Sequence, residues 1–218
     1  MNLKDKFSND ERRVNIEEEM MSDTLSTYLN EWLPPSREVV IACIGTDRST
    51  GDSFGPLVGS MLQDQTLETF HVYGTLEDPL HALNLKERVQ TMNDEHPNPY
   101  ILAIDACLGR ATSVGSVVLG KGTLSPGSAL KKDLPPIGNL HISGMVNVSG
   151  FMEHVVLQNT RLHVVMKMAA KVAAAIQLAD TERRRIRLET SPVQAFTAAT
   201  KRESLFGKAG KPRMDGTL

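Results

Sequence analysis

Hydrophobic and polar positions follow two periods along the chain. Glu38–Ile44, Phe70–Tyr73 and Tyr100–Ile104 are short apolar runs rich in β-branched and aromatic residues, and they read as buried strands. Val114–Leu119 and His141–Val148 read as two more. Leu25, Tyr28, Leu29 and Trp32 recur at helical spacing and predict a helix over 24–33, stopped by Pro34-Pro35. A helix is expected from Pro56 to Leu62, with proline at an early position where its missing N–H costs little. Another is expected over 81–92. The broad apolar face running through Val155, Leu162, Val165, Val172 and Ile176 predicts unbroken helix over 151–180. The proline-bearing stretch 124–139 has neither period and reads as a long irregular connection.

Strands alternating with helices predict an α/β protein. The expected architecture is a three-layer α/β/α sandwich on a mostly parallel sheet. Residues 24–190 form the single expected domain. Residues 1–23 are polar and are read as a flexible leading segment, and 191–218 as a flexible tail. A length of 218 residues agrees with one domain.

Composition removes several classes of function. The net charge of −2 gives no general attraction to nucleic acid or an anionic membrane. Cys43 and Cys107 each lie inside an apolar run, which suits buried free thiols in a reducing compartment rather than a disulfide framework. No cysteine has zinc-ligand spacing. The charged N-terminus lacks an apolar signal core, and no segment is expected to reach the roughly 20 apolar residues of a membrane span. The cytoplasm is the expected compartment. Arg183-Arg-Arg185 with Arg187 reads as a solvated helix end.

The chemistry concentrates in Ile44-Gly-Thr-Asp-Arg-Ser-Thr-Gly-Asp-Ser-Phe-Gly-Pro56, a loop directly after a buried strand. Open α/β folds place their sites at such carboxyl ends of strands. The loop carries Asp47 and Asp52, and Asp105 closes a second apolar strand. Parallel, central strands would bring Asp52 and Asp105 to one edge. Two adjacent carboxylates share a proton and form an acid/base couple, or hold a hard divalent metal. The alternatives are that Asp52 caps the following helix, that Asp47 braces the loop, and that Asp105 is merely exposed. The loop matches neither the G-x-x-x-x-G-K-[ST] nor the G-x-G-x-x-G phosphate pattern.

These residues resemble the germination protease of spore-forming bacteria, whose Gly-Thr-containing loop ends in Asp-x-x-Gly-Pro and whose later strand ends in Asp-Ala. They resemble hydrogenase maturation endopeptidases more weakly. The chain is most similar to the sporulation protein YyaC family, through Cys43–Asp52, Val72–Pro79, Ile104–Arg110 and His141–Asn147. The resemblance implies a phosphorylase/hydrolase-like α/β/α fold and a sporulation-associated aspartic endopeptidase. Asp52 and Asp105 would be catalytic, with Gly45, Thr46, Asp47, Gly55 and His141 on the substrate side. The implied substrate is a spore protein such as a small acid-soluble spore protein, met in the cytoplasm of the sporulating cell or spore. Nucleic acid and membrane are not expected partners; self-association stays open. No metal or cofactor is assigned, a divalent ion held weakly by Asp52 and Asp105 being the alternative use of that pair. A maturation-type metal enzyme would need a histidine as well, for which His141 and His81 are the candidates. A second reading keeps the fold for non-catalytic partner binding.

Overall fold

The computed structural model describes residues 10–126 and 135–190. In chain order the elements are β1 (Glu11–Asn15), α1 (Met21–Trp32), β2 (Val39–Cys43), α2 (Phe54–Gln63), β3 (Phe70–Tyr73), α3 (Leu85–Glu95), β4 (Tyr100–Gly109), β5 (Ser116–Lys121), β6 (Leu140–Val148), α4 (Glu153–Gln158) and α5 (Leu162–Glu189). The six strands form one sheet in the order β1-β5-β6-β4-β2-β3. β6, β4, β2 and β3 are parallel neighbours, while β1 and β5 close the other side antiparallel.

β2 reads Val-Val-Ile-Ala-Cys and all five residues are buried, as expected of a strand covered on both faces. Alternation divides them. Val39, Ile41 and Cys43 enter the larger core with α1, α2 and α5, whereas Val40 and Ala42 enter a smaller core with Leu85 and Met92 of α3. The molecule is thus an α/β/α sandwich on a largely parallel sheet.

Residues 1–9 of the expected flexible segment lie outside the described residues, and residues 10–23 differ from that expectation. Residues 11–15 form edge strand β1, paired with β5, and Val14 and Ile16 are buried. Tertiary packing recruits a polar sequence here. Arg12 lies 5.3 Å from the Trp32 ring and 5.7 Å from the Tyr28 ring, so a cation covers the aromatic face of α1. Residues 191–218 and part of the expected irregular stretch 124–139 lie outside the described residues; within the rest of that stretch, Leu124 bridges Ile137.

The helix expected over 151–180 is two helices. Asn159–Arg161 separates them, and Thr160 explains why. Its hydroxyl donates to the Val156 carbonyl at 2.8 Å and accepts from the Asn147 amide at 3.1 Å, side-chain bonds that compete with the helical ladder. The arginine cluster is not wholly solvated either. Arg183 is buried, donates to the Pro34 carbonyl at 3.1 Å, and lies 5.4 Å from the Phe70 ring. α5 is also the one described helix long and apolar enough to cross a membrane, contrary to the expectation from sequence. Its Val165, Met168, Ala169, Val172 and Ile176 are instead packed in the core.

Asp180 anchors this helix. It is buried and accepts from the Thr69 hydroxyl at 2.6 Å, the Thr69 amide at 2.7 Å and the Glu68 amide at 3.0 Å. Asp180→Ala leaves those donors without their acceptor and should cost about 3 kcal/mol or more in urea unfolding. Asp180→Asn, which keeps one oxygen, should cost less.

Candidate active site

The site grows where β2 ends beside the middle of β4; Asp105 does not close that strand, as the sequence suggested, because pairing with β6 carries β4 on to Gly109. Cys43 of β2 lies opposite Ile104 of β4, and the Ile44 amide continues the ladder with a 2.7 Å bond to the Ile104 carbonyl. Gly45 then donates to the Leu80 carbonyl at 2.8 Å. The loop turns away and comes back, for the Thr46 amide reaches the Asp52 carbonyl at 3.2 Å. Its two framing glycines permit this closure. A Cβ on Gly45, at φ +146°, would lie 1.9 Å from the Asp52 carbonyl oxygen, and one on Gly55 would lie 2.1 Å from that of Ile44.

Asp105 follows Ile104 directly. Ile104 points into the larger core and Ala103 into the smaller, so alternation puts Asp105 on the Ala103 face. It is half-buried, sits opposite Ser143 of β6, and its Oδ1 accepts from the Ala106 amide at 2.8 Å. Adjacent strands lie about 4.8 Å apart. The backbone therefore starts the loop that carries Asp52 at the end of the β2–β4 ladder, one residue short of Asp105. Asp52 is half-buried, and the N-cap position of α2 falls on the next residue, Ser53. The Ser53 hydroxyl donates to the Thr50 carbonyl at 2.7 Å instead of capping α2.

The other expected site residues divide. Thr46, half-buried, braces the loop: its hydroxyl oxygen accepts from the Arg48 amide at 3.3 Å. Asp47 is exposed and faces the Thr46 hydroxyl at 3.4 Å. His141 shares the Asp105 face but lies one side-chain pair back along β6, opposite Ala103. Its Nδ1 faces the Gly122 carbonyl at 3.2 Å, and the ring packs over Gly120, where a Cβ would approach it to 2.5 Å. His81 instead lines a groove of about 460 Å³ with Thr46, Asp47, Arg48, Leu76 and Leu83. Asn147 donates to the Val156 carbonyl at 3.3 Å; the nearby Leu157 carbonyl accepts from the Gly51 amide at 2.8 Å. Asn147 thus secures the support under the loop.

Two further residues approach Asp105: Cys107, which the sequence marked only as a thiol in an apolar run, and Arg13, which it did not mark. Cys107 lies beyond Asp105 on β4, with its sulfur 2.9 Å from that of Met145. Burial first, and the Asp105 charge second, push its thiol up to about 12, while Arg13 opposes the shift. Arg13 reaches in from β1, where it donates to the Ser113 hydroxyl at 3.1 Å. Cys43 is fully buried and its thiol is raised as well, by burial alone. Both cysteines are free thiols, and neither environment favours a thiolate nucleophile.

The profile of a family described as "Protein of unknown function (DUF1256)" matches residues 11–175. A protein of Bacillus subtilis (strain 168), named "Uncharacterized protein YyaC", is 56% identical over 162 residues, which cover 74% of this chain and 78% of that one. Among solved structures, the [NiFe] hydrogenase maturation protease HycI from Thermococcus kodakarensis KOD1 aligns with a TM-score of 0.48 and 16% identity, over 70% of this chain and 98% of that one. An uncharacterized protein from Wolinella succinogenes aligns with a TM-score of 0.38 and 13% identity, over 65% and 96%.

Gly55→Ala should destabilise the protein by about 3 kcal/mol or more, because the added methyl meets backbone rather than a mobile side chain. Asp47→Ala, at an exposed position, should stay within about 0.5 kcal/mol. Chemical unfolding of both variants measures the contrast. Cys107 should alkylate more slowly than a free thiol at pH 8, at a rate rising with pH. Asp105→Asn removes an anion that opposes the thiolate, so it should lower the Cys107 pKa and speed alkylation. An unchanged rate would separate Asp105 from that sulfur.

Proposed function

The chain belongs to the DUF1256 family that includes Bacillus subtilis YyaC, and we propose that it is a peptidase in which Asp52 and Asp105 act as an acid/base pair. The observation that supports this reading is the closure of a glycine-framed loop beyond the end of β2, the strand that pairs with β4 up to the residue before Asp105. In the proposed reaction the ionised carboxylate takes a proton from water as the water attacks the scissile carbonyl. The protonated partner hydrogen-bonds the carbonyl oxygen as charge develops there, and a proton passes to the leaving amine.

The groove beside the loop is the natural seat for the polypeptide. Thr46, Asp47 and Arg48 offer polar contacts on one wall, and the exposed Leu76 and Leu83 offer apolar ones on the other. Gly45 and Gly55 set the loop that forms the inner wall. The similarity to the germination protease directs the choice of substrate to a protein of the spore, and small acid-soluble spore proteins are the first to try. The free thiols agree with action in a reducing cytoplasm. Use of the same carboxylates for a weakly held divalent ion is the metal-dependent variant of this proposal.

Purified full-length protein incubated with small acid-soluble spore proteins should yield defined fragments. Asp52→Asn and Asp105→Asn should each slow cleavage by about 100-fold or more while the melting transition stays cooperative. Chelator insensitivity would separate the aspartic from the metal-dependent form. If the wild type retains a spore protein on a column without cutting it, and both variants retain it equally, the protein is a binding module and the catalytic reading falls.

A further inference from the structure

The opposite end of the sheet holds a second cluster with different chemistry. Glu38 immediately precedes β2, and His71 sits in β3 opposite Val40. His96 ends α3 as its C-terminal cap residue. The parallel register β2–β3 and the packing of α3 on the smaller core bring these three to one corner. Each offers a ligand atom, and the three atoms lie within 4.8 Å of one another. The two imidazole rings are 4.2 Å apart between centroids, at 37°. The corner is about a full strand length, roughly 17 Å, from the end that carries the aspartates.

The hydrogen bonds around His96 say which of its nitrogens is available. A phenol has one proton to donate, and Tyr73 donates it to the Glu95 carboxylate, which can only accept. The Tyr73 oxygen lies 2.9 Å from His96 Nε2, so it is the acceptor there and Nε2 carries the hydrogen. In the neutral ring Nδ1 is then the lone-pair nitrogen, and it faces Glu38 Oε2 at 3.3 Å. Two lone pairs in opposition need a cation between them, either a proton on Nδ1 or a metal ion. A charge-assisted proton bridge draws such atoms to about 2.8 Å. A tetrahedral ion with nitrogen and oxygen ligands about 2.1 Å from its centre holds them about 3.4 Å apart. The 3.3 Å gap is wide enough to admit the ion.

We propose that Glu38, His71 and His96 form a divalent transition-metal site. Two imidazoles and one carboxylate select Zn(II), Co(II) or Ni(II) over Mg(II) or Ca(II). His96 is held from behind by Tyr73 and Glu95, the outer-sphere support that fixes a ligand's tautomer and orientation. His71 is exposed, so its side chain has room to rotate toward the other two ligands. Arg187 is the cation facing His71, and it is drawn aside by donating to the Arg37 carbonyl at 3.4 Å. Three protein ligands leave a fourth position open. His71 and His96 also line a cleft of about 340 Å³ with Gln63, Gln65 and Tyr73, and the open position is assigned to it. Water, or a carboxylate or imidazole from an incoming molecule, completes the coordination.

The test uses the full chain, stripped with chelator, desalted, and titrated with Co(II) by visible absorption and with Zn(II) by calorimetry. The wild type should take up one ion per chain with the intense visible bands of tetrahedral Co(II). Binding also raises the melting temperature, because the ion binds the folded state. His71→Ala and Glu38→Gln, both at exposed positions that leave the core intact, should each weaken binding by about tenfold or more. Tyr73→Phe should weaken it by about tenfold through loss of its support. Asp105→Asn should bind like the wild type. Absence of a one-to-one Co(II) complex overturns the proposal. So does equal affinity in the His71→Ala variant, or loss of binding in Asp105→Asn, which would move the ion to the aspartate pair.

Discussion

Five residues of β2 pair with five of β4 in the interior of the sheet, from Val39 opposite Tyr100 to Cys43 opposite Ile104. Every side chain of β2 is buried, so a slip of one residue would turn Ile41 and Cys43 out of the larger core and Val40 and Ala42 out of the smaller. Register is therefore enforced on both faces at once, and it sets the position of the chain at either end of the ladder. At the carboxyl end it puts the glycine-framed loop beside Asp105. At the amino end it puts Glu38 beside β3 and the close of α3. Both candidate centres owe their geometry to apolar residues that take no part in either.

The loop shows how tightly such an arrangement is specified. Glycine at 45 and 55 is less about flexibility than about distance, because the backbone passes too close to itself for any Cβ. The support beneath is polar: Asn147 and Thr160 tie β6 to the break between α4 and α5, and Leu157 at the end of α4 receives the Gly51 amide. At the far end of α5, Asp180 and Arg183 bind backbone groups of the segments before β3 and β2. The long helix is thus fixed to the sheet by hydrogen bonds at buried polar positions as well as by its apolar face.

The central strands were legible because β-branched runs buried on both sides leave a clear apolar signal, and the parallel pairing of β2 with β4 followed from the alternation of strands and helices. The features that were not legible have a common cause. β1 is polar and holds its place only by pairing with β5 and by laying Arg12 over Tyr28 and Trp32, neither of which a hydrophobic period reveals. Arg183 and Asp180 look like solvent residues because their partners are backbone atoms far away in sequence. The Glu38–His71–His96 corner joins the residue before β2, a residue of β3 and the cap of α3, so no spacing rule could collect it.

β1 also governs the company the molecule keeps at high concentration. The sheet ends at β3, only four residues long, and at β1, whose sequence carries Glu11, Arg12 and Arg13. Short and charged borders of this kind discourage strand addition by neighbours. Just inside β1 lies Val117-Val118-Leu119, an uncharged β-forming stretch whose backbone bonds β1 occupies on that side. A chain clipped after Asn15 would present that stretch as a bare border, ready to template association with other copies. The polar N-terminal strand is in this sense a guard on solubility, supplied by the part of the sequence that looks least like structure.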